Sequence, residues 1–202
     1  LKAKLVADGA NVVLTREGLV KRERELKDPT QPRVRAGDEV LAVLSGSTRE
    51  NVVFFSNLGS AYVTRINEIP ATTGYGDPVQ KLFKFKDGER VVAGLSLDPR
   101  VGRPETLVAV ARKGHGLRFA LSTHVEVSTR AGRKFARPGD GDELVAVLPV
   151  DEKDFLCVAT EKGAVLCCVA GEVNLLANPG RGVTVININD LTNALRPVVL
   201  PG

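Results

Sequence analysis

The sequence predicts an all-β, propeller-like fold of about four blades, each of four strands. Three observations predict it: two motifs that alternate along the chain, the lack of helical periodicity, and an aliphatic rather than aromatic apolar composition. Hydrophobic residues make up 43% of the 202 residues and aromatic ones only 4%, so the interior must be built from Val, Leu, Ala and Ile, which suits many short strands. No window carries an i, i+3, i+4, i+7 apolar stripe of helix length.

The first motif is a hairpin. Four segments align without gaps over eight residues ending in Gly: NVVLTREG (11–18), VVFFSNLG (52–59), LVAVARKG (107–114) and LCVATEKG (156–163). Each is an apolar run closed by polar residues, and each is followed by a second short run: LVKR, SAYVTR, HGLRFA or AVLCCVA. The Gly supplies the positive φ that the turn needs. The second motif, GDEVLAVL (37–44), GERVVAGL (88–95) and GDELVAVL (141–148), reads as a polar turn entering another buried strand. Strict alternation of the two gives a period of roughly 40 to 55 residues, that of propeller blades rather than of helical or leucine-rich repeats.

The repeats are therefore 9–47, 48–100, 101–152 and 153–202, within one domain spanning 1–202. The stretches NEIPATTGYGDP (67–78) and NLLANPGRG (174–182) carry Gly and Pro and read as loops between strands. LKAKLVADGA at the start reads as the tail of an earlier element, and LRPVVLPG at the finish as an isolated last strand. The sequence begins at Leu and contains no Met, which is expected of a piece of a longer protein.

Lys and Arg number 28 against 24 Asp and Glu, a net charge of +4 with a pI near 9.1. Composition alone supports nucleic acid weakly, so placement must decide. From 112 to 137 lie Arg112, Lys113, Arg118, Arg130, Arg133, Lys134 and Arg137, with Glu126 as the single acid. Arg16, Arg112 and Lys162 fall in or beside the same hairpin turn, while Lys21, Arg22, Arg65 and Arg118 follow that turn on the next strand. With Arg33, Arg35 and Arg181, these residues are the candidate DNA-binding set. Equivalent charges on four blades would make a stripe that follows a phosphate backbone without reading bases, with indirect selection for bendable duplex. Gly132 and Gly139, flanking Arg133 and Lys134, have two readings: close approach to a backbone, or simple turn formation. Lys27, Lys84, Lys86 and Lys153 read as solubilising charges. Phe54, Phe55, Phe83, Phe85, Phe119, Phe135 and Phe155 sit mostly inside strand patterns and are assigned to the core, which favours duplex over single-stranded DNA as partner.

An active site is not expected. His115, His124, Cys157, Cys167 and Cys168 form no zinc-ligand spacing, and neither a phosphate-binding loop nor a catalytic triad is present. Asp38 with Glu39 and Asp142 with Glu143 recur in the repeat turns and read as architectural. Three Cys, two of them adjacent, make a poor disulfide framework and suggest a reducing cytoplasm. No apolar run approaches the roughly 18 residues of a membrane-spanning helix.

These repeats resemble a known family, the C-terminal domain of bacterial gyrase and topoisomerase IV A subunits, a β-pinwheel. The likeness rests on VVLTREGLVKR, on VVFFSNLGSAYVTRINEIP followed by GYGDPVQKLF, on GDELVAVLPV, and on FLCVATEKGAVLCCV followed by NPGRGVTVIN. It implies a disc of hairpin-exchanging blades that bends duplex DNA around a basic rim. It also implies no cofactor in this domain, with ATP and Mg used by the parent enzyme. The implied partners are double-stranded DNA, the rest of the A subunit, and the ATPase B subunit in an A2B2 assembly; the implied location is the bacterial cytoplasm, with the nucleoid. The family's gyrase members carry a box of the type QRRGGKG; the corresponding QPRVRAG (31–37) keeps Gln31, Arg33, Arg35 and Gly37 but loses the double Gly and the Lys. RAGRKFARPG (130–139) is a second partial echo. The degenerate box makes the chain more similar to topoisomerase IV A subunits, with gyrase left open. The alternative reading is a propeller-like protein-interaction platform.

Overall fold

The hairpin glycines do what the sequence requires of them. Gly18, Gly59, Gly114 and Gly163 all have φ between 82 and 89°, and each donates its N–H to the carbonyl three residues earlier, closing a tight turn. The computed structural model describes residues 8–26, 32–187 and 195–202; Lys27 and Gln31 lie outside them. In chain order the strands are β1 (Gly9–Thr15), β2 (Leu19–Glu23), β3 (Val40–Ser47), β4 (Asn51–Ser56), β5 (Ser60–Arg65), β6 (Asp77–Pro78), β7 (Val91–Ser96), β8 (Thr106–Ala111), β9 (His115–Ala120), β10 (Arg133–Lys134), β11 (Leu144–Pro149), β12 (Phe155–Thr160), β13 (Val165–Val169), β14 (Val183–Thr184) and β15 (Leu195–Leu200). Short 3-10 turns follow β5, β9 and β13.

Four sheets result, in the orders β3-β1-β2-β6, β10-β5-β4-β7, β11-β8-β9-β14 and β13-β12-β15. The first three take a first-motif hairpin and the second-motif strand that follows it, and the fourth pairs its hairpin with β15, so the predicted all-β, four-blade reading holds; the last blade shows three strands among the described residues. The fourth strand of the other three comes from the next repeat. β6 joins β2 through Val20 opposite Asp77, and β14 joins β9 through Gly116 opposite Val183. The stretch 67–78, which ends in β6, reads from sequence as a loop, and the structure corrects this at Asp77–Pro78; the stretch 174–182 holds no named strand and leads into β14. Two-residue strands carry no visible alternation, and their pairing depends on a carbonyl row presented by another repeat.

Each donated strand enters past a positive-φ glycine pressed on the accepting strand. A Cβ on Gly76 would sit 2.6 Å from the carbonyl oxygen of Val20, on Gly132 2.9 Å from that of Ala61, and on Gly182 2.0 Å from that of Gly116. Val20, Ala61 and Gly116 are all two residues past the hairpin Gly. The hairpin Gly carbonyl then accepts the N–H of Val79, Phe135 or Val185, whose side chains are buried. The exchange therefore follows a rule, Gly-x-x-apolar.

The chain divides into two compact units: Leu1–Phe55 with Ala61–Arg103 and His124–Arg133, and Ser56–Ser60 with Pro104–Thr123 and Lys134–Gly202. The core of the first gathers Val12, Leu14, Val52, Phe54, Tyr62 and Phe83. The core of the second gathers Val108, Val110, Leu156, Val158, Val173 and Val185. On β4 and β8 the intervening residues, Val53, Phe55, Leu107 and Ala109, are also fully buried, which explains their unbroken apolar runs. β12 differs: Leu156 and Val158 are buried, whereas Phe155 is 43% exposed. The assignment of Phe155 to the core is thus corrected: its neighbours across the fourth sheet, Val169 and Leu200, are exposed with it. The cysteine reading is corrected as well: Cys157 and Cys167, directly opposite on β12 and β13, form a disulfide, and Cys168 stays free. The two positions lie symmetrically about the hairpin turn, a signal that the sequence held once its register was drawn.

Candidate nucleic-acid interface

The second-motif turn brings charged residues beside the hairpin turn. Asp142 accepts at Oδ1 from the N–H groups of Lys113 (3.1 Å) and Glu143 (2.9 Å); Asp38 does the same for Glu17 (3.0 Å) and Glu39 (2.7 Å). Burial opposes ionisation of Asp38, but hydrogen bonds from Thr15, Glu17 and Glu39 outweigh it and hold its carboxyl below the usual range. These acids clamp turn to turn, the architectural role expected of them.

Around the clamp of the second unit the structure assembles cations from three parts of the sequence. Lys113 Nζ donates to the carbonyl of Asp140 at 2.9 Å, and the Arg181 guanidinium lies across Gly139, where a Cβ would meet Nε at 3.5 Å. Arg137 N–H donates to the Gly180 carbonyl at 2.8 Å, which ties the Arg137 and Arg181 segments together. Arg181 Nη2 donates to His115 Nε2 at 2.7 Å, so that ring is neutral; burial first, and the Arg181 charge second, lower its proton affinity. Arg137 and Arg181 are exposed and Lys113 half-buried. Of the two readings of Gly139, the observed neighbour is a side chain.

In the first unit the corresponding stretch carries Arg33 and Arg35, both exposed. The Arg33 guanidinium stacks 4.9 Å above the Tyr75 ring, a cation–π contact that orients it without neutralising it. Arg16 is exposed but shares an ion pair with Glu39 at 3.1 Å. Arg65 and Arg133 are exposed, as is Arg130, which donates from Nη2 to the Lys81 carbonyl at 3.0 Å. Lys162 is exposed at the fourth hairpin turn.

Other members of the candidate set are used internally. Lys21 is 1% exposed; its Nζ donates to the carbonyls of Arg33 and Gly74, each at 2.9 Å, and pairs with Glu23 at 2.5 Å. Arg118 is 8% exposed and donates to the carbonyls of Val173 at 2.7 Å and Gly171 at 3.2 Å. Arg22, at the same place in its repeat, donates to the Ile69 carbonyl at 3.1 Å. Lys134 Nζ is held by the Leu58 carbonyl at 2.5 Å. Arg112 has its Nε buried without a hydrogen-bond partner. Sequence reasoning placed Lys21, Arg22 and Arg118 on an outward stripe because the segment that folds over them belongs to a later repeat. His115 was missed as a neighbour of the cations, and only register would have found it. No group of three or more His, Cys, Asp or Glu residues able to hold a metal occurs among the described residues, and none of their helices is long and apolar enough to cross a membrane.

Hairpin sheets that exchange a Gly-led strand and carry exposed cations on their turns define a repeat-built, strand-exchanging propeller. The family described as DNA gyrase C-terminal domain, beta-propeller, matches residues 50–98, 105–151 and 154–190, more than half of the chain, and the chain belongs to that family. It is 28% identical over 189 residues to the DNA gyrase A subunit of Aminobacterium colombiense, a match covering 88% of this chain and 22% of that protein. The chain spans about a fifth of the length of the curated relatives it matches. Among solved structures, the C-terminal domain of DNA topoisomerase IV superposes with a TM-score of 0.83 at 18% identity, covering 98% of this chain and 62% of that one. The E. coli ParC C-terminal domain gives 0.77 at 22%, covering 96% and 80%. At these identities the structural likeness establishes the β-pinwheel fold.

Proposed function

We propose that this chain is the non-catalytic, DNA-binding and DNA-bending C-terminal domain of an ATP-dependent type II topoisomerase A subunit. The observation that carries this reading is the correspondence of Arg33 and Arg137. Both are exposed, both stand at the same spacing before a second-motif turn glycine, and Arg137 has Lys113 and Arg181 beside it. Duplex DNA is held through its phosphates by these residues together with Arg16, Arg35, Arg65, Arg130, Arg133 and Lys162. The parent enzyme relaxes and decatenates DNA, with ATP and Mg handled by a B subunit in an A2B2 assembly in the bacterial cytoplasm, at the nucleoid. The degenerate 31–37 box favours a topoisomerase IV type over a wrapping gyrase; a supercoiling assay of the whole enzyme separates the two.

Binding to a duplex of several helical turns, measured across a salt series, tests the reading. Each phosphate neutralised contributes roughly −0.9 to the log–log slope. Arg137→Glu with Arg181→Glu should weaken binding at least tenfold and flatten the slope by roughly 1.8, with the melting temperature little changed because exposed charges contribute little to stability. Salt-insensitive or absent binding by the folded parent chain overturns it.

A further inference from the structure

We propose that a cleft in the first unit, lined by Gln80, Phe83, Lys84, Phe85 and Arg130, holds one unpaired nucleotide, with its phosphate at Lys84 and Arg130 and its base against Phe85. This goes beyond the duplex-binding reading, because the bases of a duplex are stacked on one another and offer no face to a protein ring. The cleft has a volume of about 370 Å3, in the range of small-ligand sites.

The repeats themselves bring a cation to this place. Lys84 stands four residues before Gly88, as Arg33 does before Gly37 and Arg137 before Gly141, and all three glycines have positive φ. The three turns close alike: Asp38, Glu89 and Asp142 donate their N–H groups to the carbonyls of Arg35, Lys86 and Gly139. Each cation's segment is also tied to the residue two before the glycine of a donated strand. Lys84 N–H donates to the Arg130 carbonyl at 2.7 Å and Arg137 N–H to that of Gly180 at 2.8 Å, while Lys21 Nζ joins the carbonyls of Arg33 and Gly74. By this placement Lys84 stands with Arg33 and Arg137 rather than with the solubilising lysines. A second cation enters at the tied position itself, where Arg130 replaces the Gly74 and Gly180 of the other two turns. One corner of its guanidinium is held by the Lys81 carbonyl, which leaves further N–H donors for a ligand. Among the described residues no carboxylate pairs with Lys84 or Arg130.

An aromatic wall adjoins these charges. Phe83 is buried and Phe85 half-buried. The Tyr62 ring packs against both, 4.9 Å from Phe83 and 4.8 Å from Phe85, and its hydroxyl donates to Glu89 at 2.7 Å. Gly132 presses on the same ring, since a Cβ there would come within 2.7 Å of it. The wall is thus fixed before a ligand arrives, and stacking on it costs little ordering. An inorganic anion would leave the rings unused, and an apolar molecule would leave the cations unused. A nucleotide uses both, by the combination of base stacking and phosphate attraction through which unpaired strands are held. The Gln80 amide adds a donor and an acceptor for a base edge.

A short fluorescein-labelled oligothymidylate and an abasic strand of the same length and charge, each titrated with the full chain and followed by anisotropy, provide the test. The base-bearing strand should bind at least about fivefold tighter. Phe85→Leu, which keeps an apolar contact with Tyr62, should erase that difference while duplex affinity stays within about twofold of the parent. Lys84→Gln should flatten the log–log salt slope for the oligothymidylate by roughly 0.7, the share of one single-strand phosphate. Equal affinity for the two strands, or a base preference that survives Phe85→Leu, overturns the proposal whatever the duplex does. A base preference without duplex binding instead supports the cleft and sinks the duplex reading. Displacement of the oligothymidylate by excess thymidine 5′-monophosphate would make a free nucleotide sufficient, and a base preference without displacement would make an unpaired strand the source; both outcomes support the cleft.

Discussion

The guanidinium of Arg118 donates from Nε to the carbonyl oxygen of Val173 at 2.7 Å, joining the second strand of one hairpin to the turn that follows the hairpin of the next repeat. Backbone bonds reinforce the join: Arg118 N–H donates to the Asn174 carbonyl at 2.8 Å, and Leu176 N–H to the Arg118 carbonyl at 2.9 Å. In the first unit Arg22 repeats the arrangement with Ile69, Pro70 and Thr72.

Replacing this arginine should therefore affect folding before binding. Arg118→Met leaves buried carbonyls without donors and should cost about 2 kcal/mol, read as a lower denaturant midpoint. Duplex affinity of the folded variant should match the parent within about twofold. A large loss of affinity with unchanged stability would return Arg118 to the DNA surface.

Strand exchange predicts an asymmetry among glycines. Gly182 has φ +83° and a Cβ there would lie 2.0 Å from the Gly116 carbonyl oxygen, whereas Gly88, φ +70°, has nothing within 4 Å. Gly88→Ala should cost only the left-handed backbone penalty, about 1 kcal/mol, while Gly182→Ala should cost about 3 kcal/mol or more and release amide protection at Val183 and Thr184. Equal costs would argue against the docked geometry of β14.

Asp98 links the end of β7 to β3. It is 1% exposed and accepts from Ser47 N–H at 2.8 Å, Arg100 N–H at 2.9 Å and Arg100 Nη2 at 2.6 Å. Hydrogen bonds from the Arg100 side chain, opposed by burial and aided by the two N–H groups, hold its carboxyl well below the usual range. A depressed pKa in the folded state gives stability that is complete above the unfolded value, about 3.9, and is lost as pH falls from there through the folded value. Asp98→Asn should lower stability at pH 7 by about 1 to 2 kcal/mol and flatten this acid limb in chemical denaturation at pH 2 to 4.

His124 gives a separate pH dependence. Burial, with a smaller contribution from the Arg133 charge, pulls its pKa down from 6.5 to about 4. The unfolded chain then binds the proton first, so stability is complete above pH 6.5 and declines as pH falls toward 4. Between pH 6.5 and 5, where few carboxylates titrate, His124→Asn should reduce the slope of melting temperature against pH. An unchanged slope would place the proton uptake elsewhere, at the half-exposed His115.

Much of the fold was legible because hairpins are local. The glycine of LVAVARKG needs only its own turn to declare itself, and the apolar run before it needs only its own side chains. Two-residue strands are different: nothing in Arg133–Lys134 marks a strand until the carbonyl of Ala61 and the pocket for Phe135 exist. The basic set divided in the same way. Arg137 and Arg33 stand on turns, where local chemistry already implies exposure. Lys21, by contrast, sits on a strand whose cover is Gly74, more than fifty residues later.

The amino-acid sequence by itself determined the strand modules, their period and the turns that carry charge, since each depends on residues within a few positions of one another. Tertiary structure alone decided which strand of one repeat completes the sheet of another and which cations stay exposed to a polyanion. Those outcomes depend on whether a distant carbonyl or apolar side chain arrives against a given group, and burial of that kind is a property of the folded neighbourhood.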